Sequence, residues 1–302
     1  MDDQAPLLAI ALLADRNKRP GALLLRAAGA VPADDAALAA LARTAPVFLP
    51  AGGDPVDALL QAGCRVLPAE GWLAGDWYMA PPGKPNQRQL ASRALALQLA
   101  QLVAADADNH EIEALLRRDP ALSYHLLRLV NSLGMGLSKK ITSFAQAILI
   151  LGRNQLRRWL NLMLFSSREG DERGPMLMAR AASRARLMEL LARECGMDKT
   201  GQELAFMAGM FSLLGVLFGM PLEEVLAPLR LDPALSAAVL RHEGDAGSLL
   251  RIAELAEAAD FAALPALLSA MPLRHEDFNA SLLQAHAWAM DVVRDEAGAG
   301  HG

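Results

Sequence analysis

DPALSYHLLRLVNSLGMGLSKKITSFAQAILILGRNQLRRWL, residues 119–160, decides how the rest of the chain is read. Asp119 followed by Pro120 is a helix opening: an acceptor side chain at the N-cap and a proline at the first helical position, where a missing N–H costs nothing. Apolar residues then recur at helical spacing through Leu122, Leu126 and Leu129, until Gly134 and Gly136 break the chain into a loop. A second run, FAQAILILG, stops at Gly152, and NQLRRWLNLMLFSS begins a third.

The same helical pattern holds on both sides of this stretch. LASRALALQLAQLVAA and HEIEALLRR precede it; PMLMARAASRARLMELLARECG, TGQELAFMAGMFSLLGVLFG, DPALSAAVLRHEG, AGSLLRIAELAEAAD and FNASLLQAHAWAMDVV follow. DPALS recurs at Asp119–Ser123 and Asp232–Ser236, but the flanking sequences do not match, so it is one helix opening used twice and not a repeat. Residues 1–82 differ. Short apolar runs (PLLAIALLA, GALLLRA, APVFLP, CRVLP, DWYMAPP) alternate with helix-like DDAALAALART and DPVDALLQAG, in which Asp34 and Asp54 suit N-caps and Gly63 a C-cap. The expected organisation is a small α/β segment over residues 1–82, a polar linker at 83–89 within PPGKPNQRQ, a helical domain over 90–293 and a flexible tail at 294–302.

The 302 residues are 53% hydrophobic and 21% charged, which excludes a disordered chain. A net charge of −5 argues against a general nucleic-acid binder. Two cysteines, Cys64 and Cys195, make neither a disulfide framework nor a zinc site. MDDQAPLLAI has no basic start of the kind a secretory signal needs, and a cytoplasmic location is expected. Leu204–Leu222 runs 19 residues without a charge, long enough to cross a bilayer. Pro221, the flanking Glu203, Glu223 and Glu224 and the absence of a basic cluster favour a buried helix instead, with no membrane.

Chemistry-bearing residues are sparse. None of the six histidines lies between residues 126 and 241, and HExxH, CxxC, His-Asp, GxSxG, Walker A and GxGxxG patterns are missing. His125 lies among leucines and reads as a packing residue. Charge, however, is uneven: residues 139–193 carry eleven Lys/Arg against four Asp/Glu, and residues 194–302 carry six against sixteen. Arg153 and Arg157, and again Arg180 and Arg184, are i,i+4 neighbours on one helix face. Two readings stay open. Lys139, Lys140, Arg153, Arg157, Arg158, Arg180 and Arg184 form an anion- or partner-binding patch, or the arginines meet the acidic C-terminal helices inside the fold or are solvated.

The 119–160 stretch closely resembles the opening of an HDOD domain. Asp-Pro-Ala-Leu-Ser leading to Leu-Leu-Arg-Leu-Val-Asn-Ser, an Ile-x-Ser before Ala-Ile, and Leu151-Gly152 carry the likeness. It makes Asp119, Pro120, Ser123, Asn131, Ser132 and Gly152 motif residues with a structural part to play, and it extends loosely to about residue 290. HDOD domains are all-helical relatives of HD-type metal phosphohydrolases that have lost catalytic ligands. Ser212 and Leu213 stand where an active relative would carry its His-Asp pair.

ALLQAGCRVLPAEGWLAGDWYMAPP, residues 58–82, resembles the end of an EAL domain, the cyclic di-GMP phosphodiesterase barrel. A complete barrel needs ~250 residues, a Glu-Ala-Leu motif is missing here, and Ala74 replaces the usual glutamine. These departures argue against cyclic di-GMP hydrolysis and binding. The implied fold is mainly α, an HDOD-like helical bundle preceded by a small α/β segment resembling the end of an EAL barrel. The implied function is a non-enzymatic bacterial regulatory module without metal or cofactor, which binds a protein partner in cyclic di-GMP or two-component signalling. The alternatives are a metal-dependent phosphohydrolase or cyclic dinucleotide phosphodiesterase, and an anion or nucleic-acid binder working through the basic block.

Overall fold

The computed structural model describes residues 5–29, 31, 36–51, 57–82, 98, 99, 101, 102, 105, 107–116, 158, 171–229 and 231–298. The N-terminal apolar runs form strands, as their turn-bounded pattern predicts. β1 (Leu7–Ala14) and β2 (Pro20–Ala28) pair antiparallel, with Leu7 opposite Ala28 and an irregularity at Leu13/Ala14. Asp15 closes the connection by accepting from the backbone N–H of Asn17 (2.8 Å) and of Arg19 (2.9 Å). Helix α1 (Ala36–Thr44) returns the chain to β3 (Val47–Leu49), and α2 (Asp57–Gln61) leads to β4 (Arg65–Val66). Both crossovers give parallel pairs, and the sheet order is β1-β2-β3-β4. Gly63, just past α2, sits at φ +96, a conformation that L side chains rarely adopt. Asp34 and Asp54, the expected caps, lie outside the described residues.

Two expectations for this segment change. The sheet opens with an antiparallel hairpin, whereas a (β/α)₈ barrel is parallel throughout, so the topology lends the barrel likeness no support. DWYMAPP is not a strand. Leu73 makes one isolated bridge to Ala14, and the chain then tightens into a 3₁₀ turn at Trp77–Met79. The fully buried Tyr78 is drawn there toward the helices.

Among the described residues the rest is helical: α3 (Asn109–Leu116), α4 (Gly174–Glu194), α5 (Lys199–Phe211), α6 (Leu214–Phe218), α7 (Leu222–Leu226), α8 (Pro233–Arg241), α9 (Gly244–Glu257), α10 (Leu264–Ala270) and α11 (His275–Gly298). Asp232 caps α8 by accepting from the Ala234 N–H, with Pro233 at the first helical position. Asp198 caps α5 in the same way. The helix enclosed on all sides is α4, with 17 of its 21 residues buried. It packs most extensively on α11 and α5.

The long apolar helix expected over 200–219 is broken into α5 and α6 at Ser212–Leu213, where Leu213 leaves helical geometry. It is the one described stretch apolar and long enough to cross a membrane, and two thirds of it is packed inside the fold. At the tail, α11 continues past residue 293 to Gly298; Arg294 pairs with Asp291 (3.3 Å) and donates to the Thr44 carbonyl.

The sheet and the helices share one apolar core, which includes Leu8, Leu25 and Leu38 from the first part and Met178, Phe206 and Phe278 from the second. Strand β1 is a sheet edge, and such an edge carries unpaired backbone groups. Asn279 of α11 satisfies two of them. Its Oδ1 accepts from Leu8 N–H (3.0 Å), and its Nδ2 donates to the Pro6 carbonyl (2.6 Å), so the amide takes the place of a neighbouring strand. Helices α4 and α5 cross closely at Gly209, where a Cβ would lie 2.7 Å from the Ala185 Cα. Asn279→Ala strands both backbone groups and is expected to lower unfolding free energy by about 1–3 kcal/mol, measured by urea denaturation of the whole chain.

Candidate functional site

Helix α4 carries Arg173, Arg180 and Arg184 near or along one side, and all three are buried. Burying a guanidinium is costly unless an anion and hydrogen-bond acceptors meet it. Glu257, the last residue of α9, supplies the anion. Arg184 grips it in a fork, Nε to Oε1 at 2.8 Å and Nη2 to Oε2 at 2.5 Å. Its remaining Nη1 donates to Ser212 Oγ at 2.7 Å, and Ser212 donates in turn to the Gly209 carbonyl at 2.7 Å. Arg184 is therefore bound at the break between α5 and α6.

One turn earlier, Arg180 reaches the N-terminal segment. Its Nε and Nη2 donate to the Tyr78 hydroxyl at 2.9 and 2.6 Å, and Nη2 also donates to Asp76 Oδ1 at 2.7 Å. Its Nη1 lies 3.3 Å from Glu257 Oε2, the oxygen that Arg184 also holds. Asp76 is the open member of the group, 65% exposed against 6% for the Arg180 side chain. Arg173 fastens the following residues: it donates to the Ala80 carbonyl (2.5 Å) and pairs with Asp171 (2.8 Å).

The electrostatics follow from burial and these pairings. Burial would raise the Glu257 carboxyl, but Arg184 and Arg180 outweigh it and hold it below the usual carboxylate range. Burial pushes the Tyr78 phenol up to about 12, so it stays protonated. His286, on α11 beside the pair, is lowered to about 4 by burial and is neutral. Its Nδ1–H donates to the Leu282 carbonyl at 2.9 Å, which assigns the tautomer. Burial raises the thiols of Cys64 and Cys195 to about 11, so neither is an activated nucleophile.

Of the seven residues in the expected basic patch, three can be placed, and none is a free surface cation. Arg180 and Arg184 are consumed by Glu257, Tyr78, Asp76 and Ser212. Arg158 pairs with Glu189 (2.6 Å) and Glu203 (2.5 Å) and lies 4.5 Å above the Phe206 ring. Desolvated guanidiniums need such partners, which corrects the patch reading for these three. Lys139, Lys140, Arg153 and Arg157 lie outside the described residues, as do the motif residues Asp119, Pro120, Ser123, Asn131, Ser132 and Gly152. Among the described residues, no group of three or more His, Cys, Asp and Glu could hold a metal ion. Ser212 and Leu213 meet the Arg184 guanidinium and the core. The i,i+4 spacing of Arg180 and Arg184 foretold a shared face. Nothing in the sequence singled out Glu257 among the C-terminal acids, or Tyr78 within a run that reads as a strand.

Residues 90–220 match the HDOD domain family model. Over 220 residues, 72% of its length, the chain is 30% identical to the cyclic di-GMP phosphodiesterase CdgJ of Vibrio cholerae. Over 144 residues, 47% of its length, it is 35% identical to the uncharacterized protein YuxH of Bacillus subtilis. The chain spans half of the Vibrio protein and about a third (35%) of the Bacillus one. A solved structure of a candidate phosphohydrolase from Shewanella amazonensis matches 67% of this chain and 93% of its own, at 16% identity and a TM-score of 0.49.

The expectation that the chain is not an enzyme is overturned by its similarity to a relative named as a phosphodiesterase. That expectation rested on the missing His-Asp pair at Ser212–Leu213, on the absence of catalytic motifs and on an EAL-like segment too short for a barrel. The EAL-like reading of residues 58–82 gains nothing from the family match, which begins at residue 90.

Removing one partner of a buried ion pair leaves an uncompensated charge. Arg184→Met is therefore expected to cost about 3 kcal/mol or more of unfolding free energy, read by urea denaturation. Glu257 and His286 have folded values below their unfolded ones. The unfolded chain thus takes up protons first, and stability falls as pH drops from 6.5 toward about 4 through His286, and further through Glu257. His286→Gln is expected to flatten that slope between pH 6.5 and 4, by an amount on the order of 3 kcal/mol, measured by denaturation at a series of pH values.

Proposed function

Starting from an HDOD domain over residues 90–220, we propose that the chain is a component of cyclic di-GMP signalling whose helical half is contacted by a protein partner of the same pathway. The observation that carries this reading is the 30% identity to a cyclic di-GMP phosphodiesterase over 72% of the chain. Since the chain spans half of that protein, the likeness supports a share in turnover of the nucleotide and leaves the division of labour between chain and partner to experiment. The EAL-like reading of residues 58–82 fits the same pathway.

The internal pairing of Arg158, Arg180 and Arg184 weighs against the alternative of a nucleic-acid binder, which needs exposed cations to neutralise phosphates. The partner reading draws on the HDOD resemblance itself.

Deletion of the coding gene in its own host is expected to raise cellular cyclic di-GMP, measured by mass spectrometry of nucleotide extracts. Re-expression of the full chain is expected to restore it. Crosslinking of the tagged full chain in the same cells is expected to recover a protein of cyclic di-GMP metabolism. A nucleotide level unmoved by both deletion and overexpression overturns the proposal.

A further inference from the structure

Arg180 and Arg184 compete for one oxygen. Glu257 Oε2 lies 2.5 Å from Arg184 Nη2 and 3.3 Å from Arg180 Nη1. The contest is unequal because Arg180 is held away by its other partners, the Tyr78 hydroxyl at 2.6 and 2.9 Å and Asp76 at 2.7 Å. The two guanidiniums carry two positive charges, and Glu257 and Asp76 carry two negative ones. Removing Asp76 leaves Arg180 with Glu257 as its remaining close anion, and removing the Tyr78 hydroxyl leaves Asp76 as its one tether on the side of the turn.

We propose that residues 76–78 are the input end of a relay that sets how firmly the Ser212–Leu213 junction is held, with Asp76 as its solvent-facing handle. When the turn releases Arg180, the guanidinium closes on Glu257 Oε2 and displaces Arg184 Nη2. The Arg184 guanidinium is planar and rigid, so a shift of its Nη2 on Glu257 also moves Nη1 off Ser212 Oγ. The junction then loses the donor that fixes Ser212. What then holds it is the bond from Ser212 to the Gly209 carbonyl, the Ser212 N–H to the Ala208 carbonyl (3.0 Å) and the burial of Leu213, with α6 only five residues long.

The relay starts in the N-terminal segment and ends in the helical half, within the residues that match the HDOD model. Asp76 is 65% exposed, and so a lysine or arginine side chain of a partner protein can pair with it and draw it from Arg180. The inference stands apart from the proposed pathway, since it concerns only how one part of this chain acts on another.

Amide hydrogen exchange on the full chain tests it, with Asp76→Asn and Tyr78→Phe as variants. Both are expected to speed exchange in residues 212–218 about fivefold, the factor set by loss of one net hydrogen bond from an opening equilibrium. Exchange in β1 is expected to stay as in the parent chain. Asp76 is exposed, so Asp76→Asn keeps the test decisive if Tyr78→Phe fails to fold. Changes confined to residues 76–82, no change, or an equal acceleration in β1 and the junction would each overturn the relay.

Discussion

The carboxylate of Glu257, shared between two buried guanidiniums, is the constraint on which the rest of the structure depends. Helix α4 can be enclosed on all sides only if the charges on it are neutralised where they lie, and Glu257 does this for Arg184 and in part for Arg180. The remainder of Arg180's demand is met by Tyr78 and Asp76. That need brings the end of the N-terminal segment onto the helices. The 3₁₀ turn at Trp77–Met79, the shared core and the break at Ser212 all border this one cluster.

The arrangement also bears on the HD-type ancestry that the resemblance implies. At this junction positive charge is carried by guanidinium groups on α4, with Glu257 as the anionic counterpart. Arg184 donates to Ser212, one of the two residues standing at the expected His-Asp position. Ser212 Oγ is thereby both an acceptor, from Arg184, and a donor, to the Gly209 carbonyl.

Much of the fold was legible because local rules and burial agree. The strand runs PLLAIALLA and GALLLRA became β1 and β2, Asp232-Pro233 opened α8, and Gly63 took the positive φ its place after α2 demanded. What was not legible depended on distant partners. DWYM has strand-like composition, yet Tyr78 is claimed by an arginine more than a hundred residues away. The apolar run over 200–219 reads as one helix, since hydropathy does not register that Arg184 will bond Ser212. The i,i+4 spacing of Arg180 and Arg184 is visible in one dimension, but choosing Glu257 from sixteen C-terminal acids requires the fold.

The pairing of Asn279 with β1 gives the sheet a direction of growth. On that side a helix side chain meets the Leu8 N–H and the Pro6 carbonyl, and Leu73 bridges Ala14 at the other end of the strand. On the other side β4 is two residues long, with Arg65 and Val66 both exposed. Among the described residues, the first strand is thus met at both its ends and the last has no strand beyond it. An added strand, from another segment or another chain, therefore finds its open edge, among the described residues, at β4.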